Sequence, residues 1–527
     1  MGEACPLGEE FGWQLLGGVV HRGRRHYPAS PVGGAIYSRS DTVSGVTLTT
    51  EGRLFEAVQL ARVFDDSKGF VDAVPRFDDA VIEERFDSLT RPLGRDALRR
   101  FVDANFALPT PSPPRRPLGV SVEEYLRDQW PMLLRTHTTV PRGSSLLALP
   151  HPYVVPGGRF DELFYWDAYF TGLGLLRHGH VELFTGMVDN LVFLQESIGH
   201  IPNGSRTYLA SRSQPPLLSA MVRALMGAGV DGHRYLPALR REHAFWTTGA
   251  RVVPLGPSTA ARYFDALDTP RQESFAEDVH LADGARRGEL FRNLRAGAES
   301  GWDFSSRWCA DPMDLSTIET TEIIPVDLNV LLVELETLIA ELLVAAGEEI
   351  RAEGFRIRGL ERAALVRERF WDSENGWFVD LDRRTGRHRP AMTLAGVLPL
   401  VGGIASPDQA TAAARTLRDR FLAPGGLRTT LVRSGQQWDA PNGWAPLQWW
   451  AVEGLRAYGF DADAVDIADR WVETCSRRFL IDGALLEKYD VEEIDREPSG
   501  GEYEVQAGFG WTNGVLIDLL ARGYGRS

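Results

Sequence analysis

From about residue 120 onward, apolar positions recur at helical spacing through most of the chain. Leu331, Leu335, Leu338, Leu342 and Leu343 fall three or four residues apart or side by side within 328–349, with neither Gly nor Pro before Gly347. Such a stripe predicts a helix. Shorter stripes predict helices over 122–135, 180–198, 235–247, 358–370, 408–421, 446–457, 463–477 and 511–522. Strand-like alternation is scarce and short. The connections between helices are long and rich in Gly, Pro, Asp and Trp. The pattern predicts an all-α body with elaborate loops, and loops on a rigid scaffold are where binding and catalysis concentrate. No short-period repeat of the solenoid kind is present.

Two segments break the pattern. Residues 1–45 read as an irregular N-terminal extension, and their basic cluster Arg22-Gly23-Arg24-Arg25-His26 as a solvated patch. Residues 109–117 carry five prolines, which remove donors and fix φ, so they read as an extended connector. Gly227-Ala228-Gly229-Val230-Asp231-Gly232 fits a dinucleotide-binding spacing, but it follows the helical-looking Leu218–Met226 rather than a strand. It reads as a helix-ending turn.

Composition narrows the partners. The net charge of −15 argues against nucleic acid or an anionic membrane and fits a neutral small-molecule ligand. Cys5, Cys309 and Cys475 give no disulfide framework and no metal spacing. The 11 histidines are scattered, there is no P-loop and no His-Glu-x-x-His, and no metal or cofactor is assigned. The first residues have no basic start and no apolar core of signal-peptide length. No run of about 18 apolar residues suggests a membrane span. These features predict a cytoplasmic monomer, with Asn203-Gly204-Ser205 unglycosylated.

Tryptophan is the sharper clue. Of 14 Trp, eight lie in four short stretches: Trp166; Trp302 and Trp308; Trp438, Trp444, Trp449 and Trp450; and Trp511. Each stretch also carries charged or amide side chains. Aromatics cover the apolar faces of a sugar ring and fixed polar groups bind its hydroxyl rim. Two carboxyls suit opposite tasks in cleaving a sugar linkage. Asp303 lies between Trp302 and Phe304, where desolvation favours the protonated form. Glu487 precedes Lys488 and suits an ionised base. Glycoside hydrolysis commonly pairs such groups. Locally, Asp303 also suits a helix N-cap, and Glu487 a surface ion pair with Lys488 or an arginine.

The segment Pro156-Gly157-Gly158-Arg159-Phe160-Asp161-Glu162-Leu163-Phe164-Tyr165-Trp166-Asp167 resembles the first signature of the trehalase family of glycoside hydrolases. Gln437-Trp438-Asp439-Ala440-Pro441-Asn442-Gly443-Trp444-Ala445-Pro446 resembles the second. Leu54–Leu60, Asp66-Ser67-Lys68, Asp72–Pro75, Ile201–Gly204, Ser211–Pro216, Glu299–Trp308 and Gly508–Gly514 also match, in order from about residue 50 to the end. The resemblance implies one (α/α)6 barrel over 46–527 with long loops over the site. It also implies hydrolysis of α,α-trehalose to two glucose molecules with inversion at one anomeric carbon. Asp303 would be the general acid and Glu487 the general base. Arg159, Trp166, Asp167, Asn203, Arg212, Gln214, Arg271, Glu273, Gly301 and Glu502 would contact the sugars. Trp444 is the candidate for stacking on a glucose ring. The three arginines also suit ion pairing with Asp167 or Glu273, and Asp439 and Asn442 suit either site lining or Asx turns. Gln272, Glu504 and Val505 depart from the family pattern, and its long glycine run is reduced to Ser499-Gly500-Gly501. Related readings are an inverting hydrolase of another α-glucoside, a phosphorylated form included, and a non-catalytic sugar-binding protein on the same scaffold.

Overall fold

Helices alternate along the chain between nearly all-apolar and one-sided segments, and that alternation builds two layers. The computed structural model describes residues 47–89, 92–109, 119–282 and 286–525. The N-terminal extension, its basic cluster and the connector beyond Pro109 lie outside the described residues.

A small N-terminal unit comes first: α1 (Gly52–Leu60), α2 (Lys68–Val71), α3 (Asp79–Asp87) and α4 (Arg95–Asn105). Its buried residues, among them Phe55, Phe70, Phe86 and Phe106, form a hydrophobic cluster of their own that extends to Tyr208 and Leu209. The larger cluster spans everything after it.

The main body is an (α/α)6 arrangement. Its inner helices are α6 (Tyr165–Arg177), α8 (Leu218–Gly227), α12 (Val326–Ala345), α14 (Leu398–Val401), α16 (Ala445–Ala457) and α18 (Gly510–Ala521). Each packs on the next in that order, and α18 packs back on α6. In α12, 15 of 20 residues are buried, so this helix is apolar on most sides, as a helix walled in by neighbours must be. The outer layer is α5 (Val122–Leu133), α7 (Val181–Ile198), α9 (Leu236–Trp246), α13 (Glu349–Arg369), α15 (Pro407–Thr416) and α17 (Asp461–Asp482). Helix α5 starts on a capping box in which Ser121 and Glu124 satisfy each other's backbone N–H. Two shorter helices, α10 (Phe275–Leu281) and α11 (Arg287–Glu299), lie between α9 and α12.

The first and last inner helices meet through glycine. A Cβ on Gly514 would lie 2.1 Å from the Phe170 carbonyl oxygen, so no other residue fits there without moving the backbone. Among the described residues, strands are confined to two-stranded antiparallel ladders. One of them, β1 (Asn442–Trp444) with β2 (Lys488–Asp490), sets Trp444 opposite Lys488. The helix-ending turn expected at Gly227–Gly232 is present: α8 stops at Gly227, and Gly229 takes the left-handed φ of 89°.

Candidate active site

Loops at one end of the helical ring enclose a cavity of about 910 Å³, its open mouth included. All thirteen residues singled out in the sequence line it. Arg159 sits in the loop before α6, and Trp166 and Asp167 in the first turn of that helix. Asn203, Arg212 and Gln214 come from the loop between α7 and α8, and Arg271 and Glu273 from the loop before α10. Gly301 and Asp303 follow the end of α11 directly. Trp444 ends β1, Glu487 precedes β2, and Glu502 belongs to the covering loop that follows. Gly301 has a φ of 78°, and a Cβ there would lie 2.9 Å from the Trp166 indole, so close approach of backbone to ring requires glycine.

Withdrawal from water is the largest influence on Asp303 and raises its carboxyl to about 7; Arg271 opposes the rise and Glu502 adds to it. Asp303 is not a helix cap, since Ser305 caps the 3-10 turn that follows. Burial also raises Glu487, against the pull of Lys488, whose Nζ lies 3.2 Å from Oε1. Among the described residues, neither carboxyl oxygen of Glu487 has a further hydrogen-bond partner. The ion-pair and cavity-lining readings of Glu487 therefore hold together, although the pair is buried rather than on the surface. Asp167 is pushed well up by burial, and the charges of Asp303 and Glu487 add to the shift. Tyr503 is raised by burial and by the same two carboxyls. One carboxyl and one phenol thus sense both groups.

The cavity's cations are paired. Arg212 pairs with Glu273, as expected. Arg159 pairs with Asp66 at 3.1 Å, and Arg271 with Asp278 at 2.6 Å and Glu502 at 2.9 Å, rather than with Asp167. Lys68 pairs with Asp72 and Glu162. Among the described residues, the Arg212 Nε and Nη1 and the Glu273 Oε2 remain buried without hydrogen-bond partners. Donors and acceptors set side by side in this way match the hydroxyl rim of a sugar.

Indoles form the floor. Trp302 stacks on Trp438 at 5.4 Å, and Trp438 on Trp444 at 3.9 Å with an interplanar angle of 4°. Trp438 therefore occupies one face of Trp444 and leaves at most the other for a ring. The Arg307 guanidinium, held by Asp327 and Asp380, lies against both Trp302 and Trp308 and fixes the backbone around Asp303.

Asp439 and Asn442 hold loops together. Asp439 accepts from the Ser305 and Ser306 hydroxyls, the Ser306 N–H, and the Thr430 and Ser434 hydroxyls. Asn442 donates to the Ser499 carbonyl at 2.8 Å. Asp439→Ala is expected to lower stability by about 3 kcal/mol by stranding these donors. A urea midpoint equal to that of the parent would remove this role.

Sequence reasoning did not single out Asp66, Lys68, Glu162 or Tyr503, all of which line the cavity. Asp66 and Lys68 stood in a quoted motif, but nothing local shows that the N-terminal unit reaches residues nearly a hundred positions away. Tyr503 stood beside Glu502 without a charge to mark it; in the structure its ring lies 4.7 Å from the Arg159 guanidinium.

The family model for trehalase matches residues 62–523. A periplasmic trehalase from Xanthomonas campestris pv. campestris is 44% identical over 514 residues, covering 93% of this chain and 89% of the relative. A periplasmic trehalase from Citrobacter koseri is 44% identical over 489 residues, covering 89% and 85%. In fold, the chain is similar to neutral trehalase from Saccharomyces cerevisiae, with a TM-score of 0.62, 22% identity and coverage of 89% and 94%. The relatives' names overturn the expectation of a cytoplasmic protein. Sparse cysteine was a weak guide to compartment. Cys309 and Cys475 are buried and unbridged among the described residues, and burial raises the Cys309 thiol to about 12, so its reactive thiolate is scarce in either compartment.

Proposed function

Because this chain belongs to the trehalase family and hydrolyses trehalose, we propose that it does so with inversion, with Asp303 as general acid and Glu487 as general base. The single observation that carries this reading is the sharing of one cavity by both carboxyls, each coupled to Asp167 and Tyr503. Asp303 gives its proton to the glycosidic oxygen as the bond to C1 breaks. A water attacks C1 from the opposite face and passes its proton to Glu487. Such a pair stands roughly 6.5–9.5 Å apart to admit the water.

In this reading Arg212, Glu273 and Arg271 bind hydroxyls on the acid's side of the cavity. Arg159, Trp166, Asp167, Asn203, Gln214, Gly301 and Trp444 shape the rest, and Glu502 latches the covering loop onto Arg271 and Ser274. One chain supplies every group, which supports a monomer as the active unit. The relatives' names support a periplasmic location.

A phosphorylated substrate is not favoured. Asp66, Glu162, Asp167, Glu273, Glu277, Asp303, Glu487 and Glu502 line the cavity against Lys68, Arg159, Arg212 and Arg271, and each of those cations already has a carboxylate. A pure binding protein is not favoured either, since both reacting carboxyls are present.

The stereochemical test is proton NMR of fresh product. Inversion releases one β-glucose for each α-glucose before mutarotation. Two α-glucose products would mean retention and would overturn the assignment of Glu487 as base.

A further inference from the structure

Two buried side chains beside the reacting carboxyls have no part in the steps above. Lys488 follows Glu487 directly and is fully buried. Besides its 3.2 Å approach to Glu487, its ammonium donates to the Gln437 Oε1 at 2.8 Å and to the Gly500 carbonyl at 3.1 Å. Gln437 is 1% exposed, and its Nε2 donates to the backbone carbonyl of Asp303. Chemistry fixes the orientation of this amide, because a carbonyl only accepts and an ammonium only donates. A short polar path therefore runs from the backbone of the acid through Gln437 and Lys488 to the carboxyl of the base.

Both ends of the path are anchored. The Trp438 N–H donates to the Phe304 carbonyl at 3.0 Å, and the Trp511 Nε1 donates to the Glu487 carbonyl at 3.0 Å. A buried ammonium is expensive unless a carboxylate balances it, and Glu487 is the carboxylate in reach. The charged and titratable groups acting on Glu487 are Lys488, Arg159, Asp167, Tyr503 and, through that same cluster, Asp303. Lys488 is the largest favourable influence among them.

We propose that Lys488, braced by Gln437 against the backbone of Asp303, is a positioning residue that sets both the acid-to-base separation and the ionisation of Glu487. Its bond to the Gly500 carbonyl adds the covering loop to the same unit, so seating of the loop and readiness of the base are linked. The proposal rests on the assignment of Asp303 and Glu487 made above.

The test is kcat/KM for trehalose against pH in the full chain for the parent, K488M, Q437E and E487Q. The acidic limb reports ionisation of the base. In K488M it is expected to move up by about one pH unit or more, with kcat about tenfold lower, because the charge favouring ionised Glu487 is gone. KM is expected to stay within about threefold, since Lys488 is placed against the base rather than the sugar. An unmoved limb with kcat within about twofold of the parent would overturn the proposal. Should K488M lose its cooperative melt, Q437E reads the same coupling with the lysine kept. Its new carboxylate competes for the ammonium and is expected to raise the limb, and an unmoved limb overturns the proposal. An inactive E487Q beside a parent-like K488M withdraws only the role of the lysine. An active E487Q withdraws the acid–base assignment and this proposal with it.

Discussion

Asp303→Asn is expected to lower kcat on trehalose by about 10³- to 10⁴-fold, at the upper end of what a positioned acid contributes. The leaving group is a sugar alkoxide, which departs poorly without a proton. Burial raises Asp303 to about 7, so a proton is available near neutrality, and asparagine keeps the shape without it. On α-glucosyl fluoride the same variant is expected to lose less than about tenfold, because fluoride leaves without protonation. Equal losses on the two substrates would sink the role of Asp303 as acid. In the parent, activity on trehalose is expected to fall as pH rises past about 7, where Asp303 would lose its proton. The stability effect has a defined sign. A carboxyl raised above its unfolded value binds more protons in the folded state, so its contribution to stability is lost as pH climbs from about 4 through 7. Asp303→Asn removes that penalty. Its melting temperature at pH 8 is expected to equal or exceed that of the parent, which separates lost chemistry from lost folding.

Glu487→Ala is expected to reduce turnover by about 10³-fold or more on both substrates, since fluoride needs no acid but water still needs a base. Among the described residues, neither oxygen of the buried Glu487 carboxyl has a hydrogen-bond partner, although the Lys488 ammonium lies beside Oε1. The truncation opens room for a small nucleophile. With α-glucosyl fluoride, added azide attacks C1, fluoride leaves, and the product is β-glucosyl azide. An α-azide would mean attack from the wrong face and would remove Glu487 from the base position. Absence of rescue together with parent-like hydrolysis would do the same.

The outer layer was more legible in the sequence than the inner one. Helices α5 and α7 fall where their apolar stripes predicted, within a residue or two. Helix α6 left no clear stripe: 10 of its 13 residues are buried, and Gly172 and Gly174, poor helix formers, interrupt the apolar run. The first half of α13 was missed for another reason: four of the nine residues 349–357 are charged, Gly354 interrupts them, and Ile350 points into solvent at 92% exposure. At the site, motifs announced the residues but not their partners. Arg159 meets Asp66 across the join between the N-terminal unit and the ring, and Gln437 meets Asp303 across 134 positions. Such pairings depend on how loops fold over one another, which local spacing does not encode. Asp439 shows the same limit. Its position in an aromatic motif suited a ligand contact, whereas its five donors make it a clasp for the segment bearing Asp303.

The last helix of the chain, α18, closes the circle on the first inner helix, and its Trp511 and Thr512 also grip the backbone at Glu487 and Leu486. During synthesis, therefore, the ring stays open and the base unsupported until α18 has been made. A product that stops at Gly510 lacks Trp511 and nearly all of α18, leaving the apolar faces of α6 and α16 that pack on it uncovered. Such a fragment is expected to be a target for proteolysis rather than a weaker enzyme, so catalytic competence waits on the helix that closes the circle.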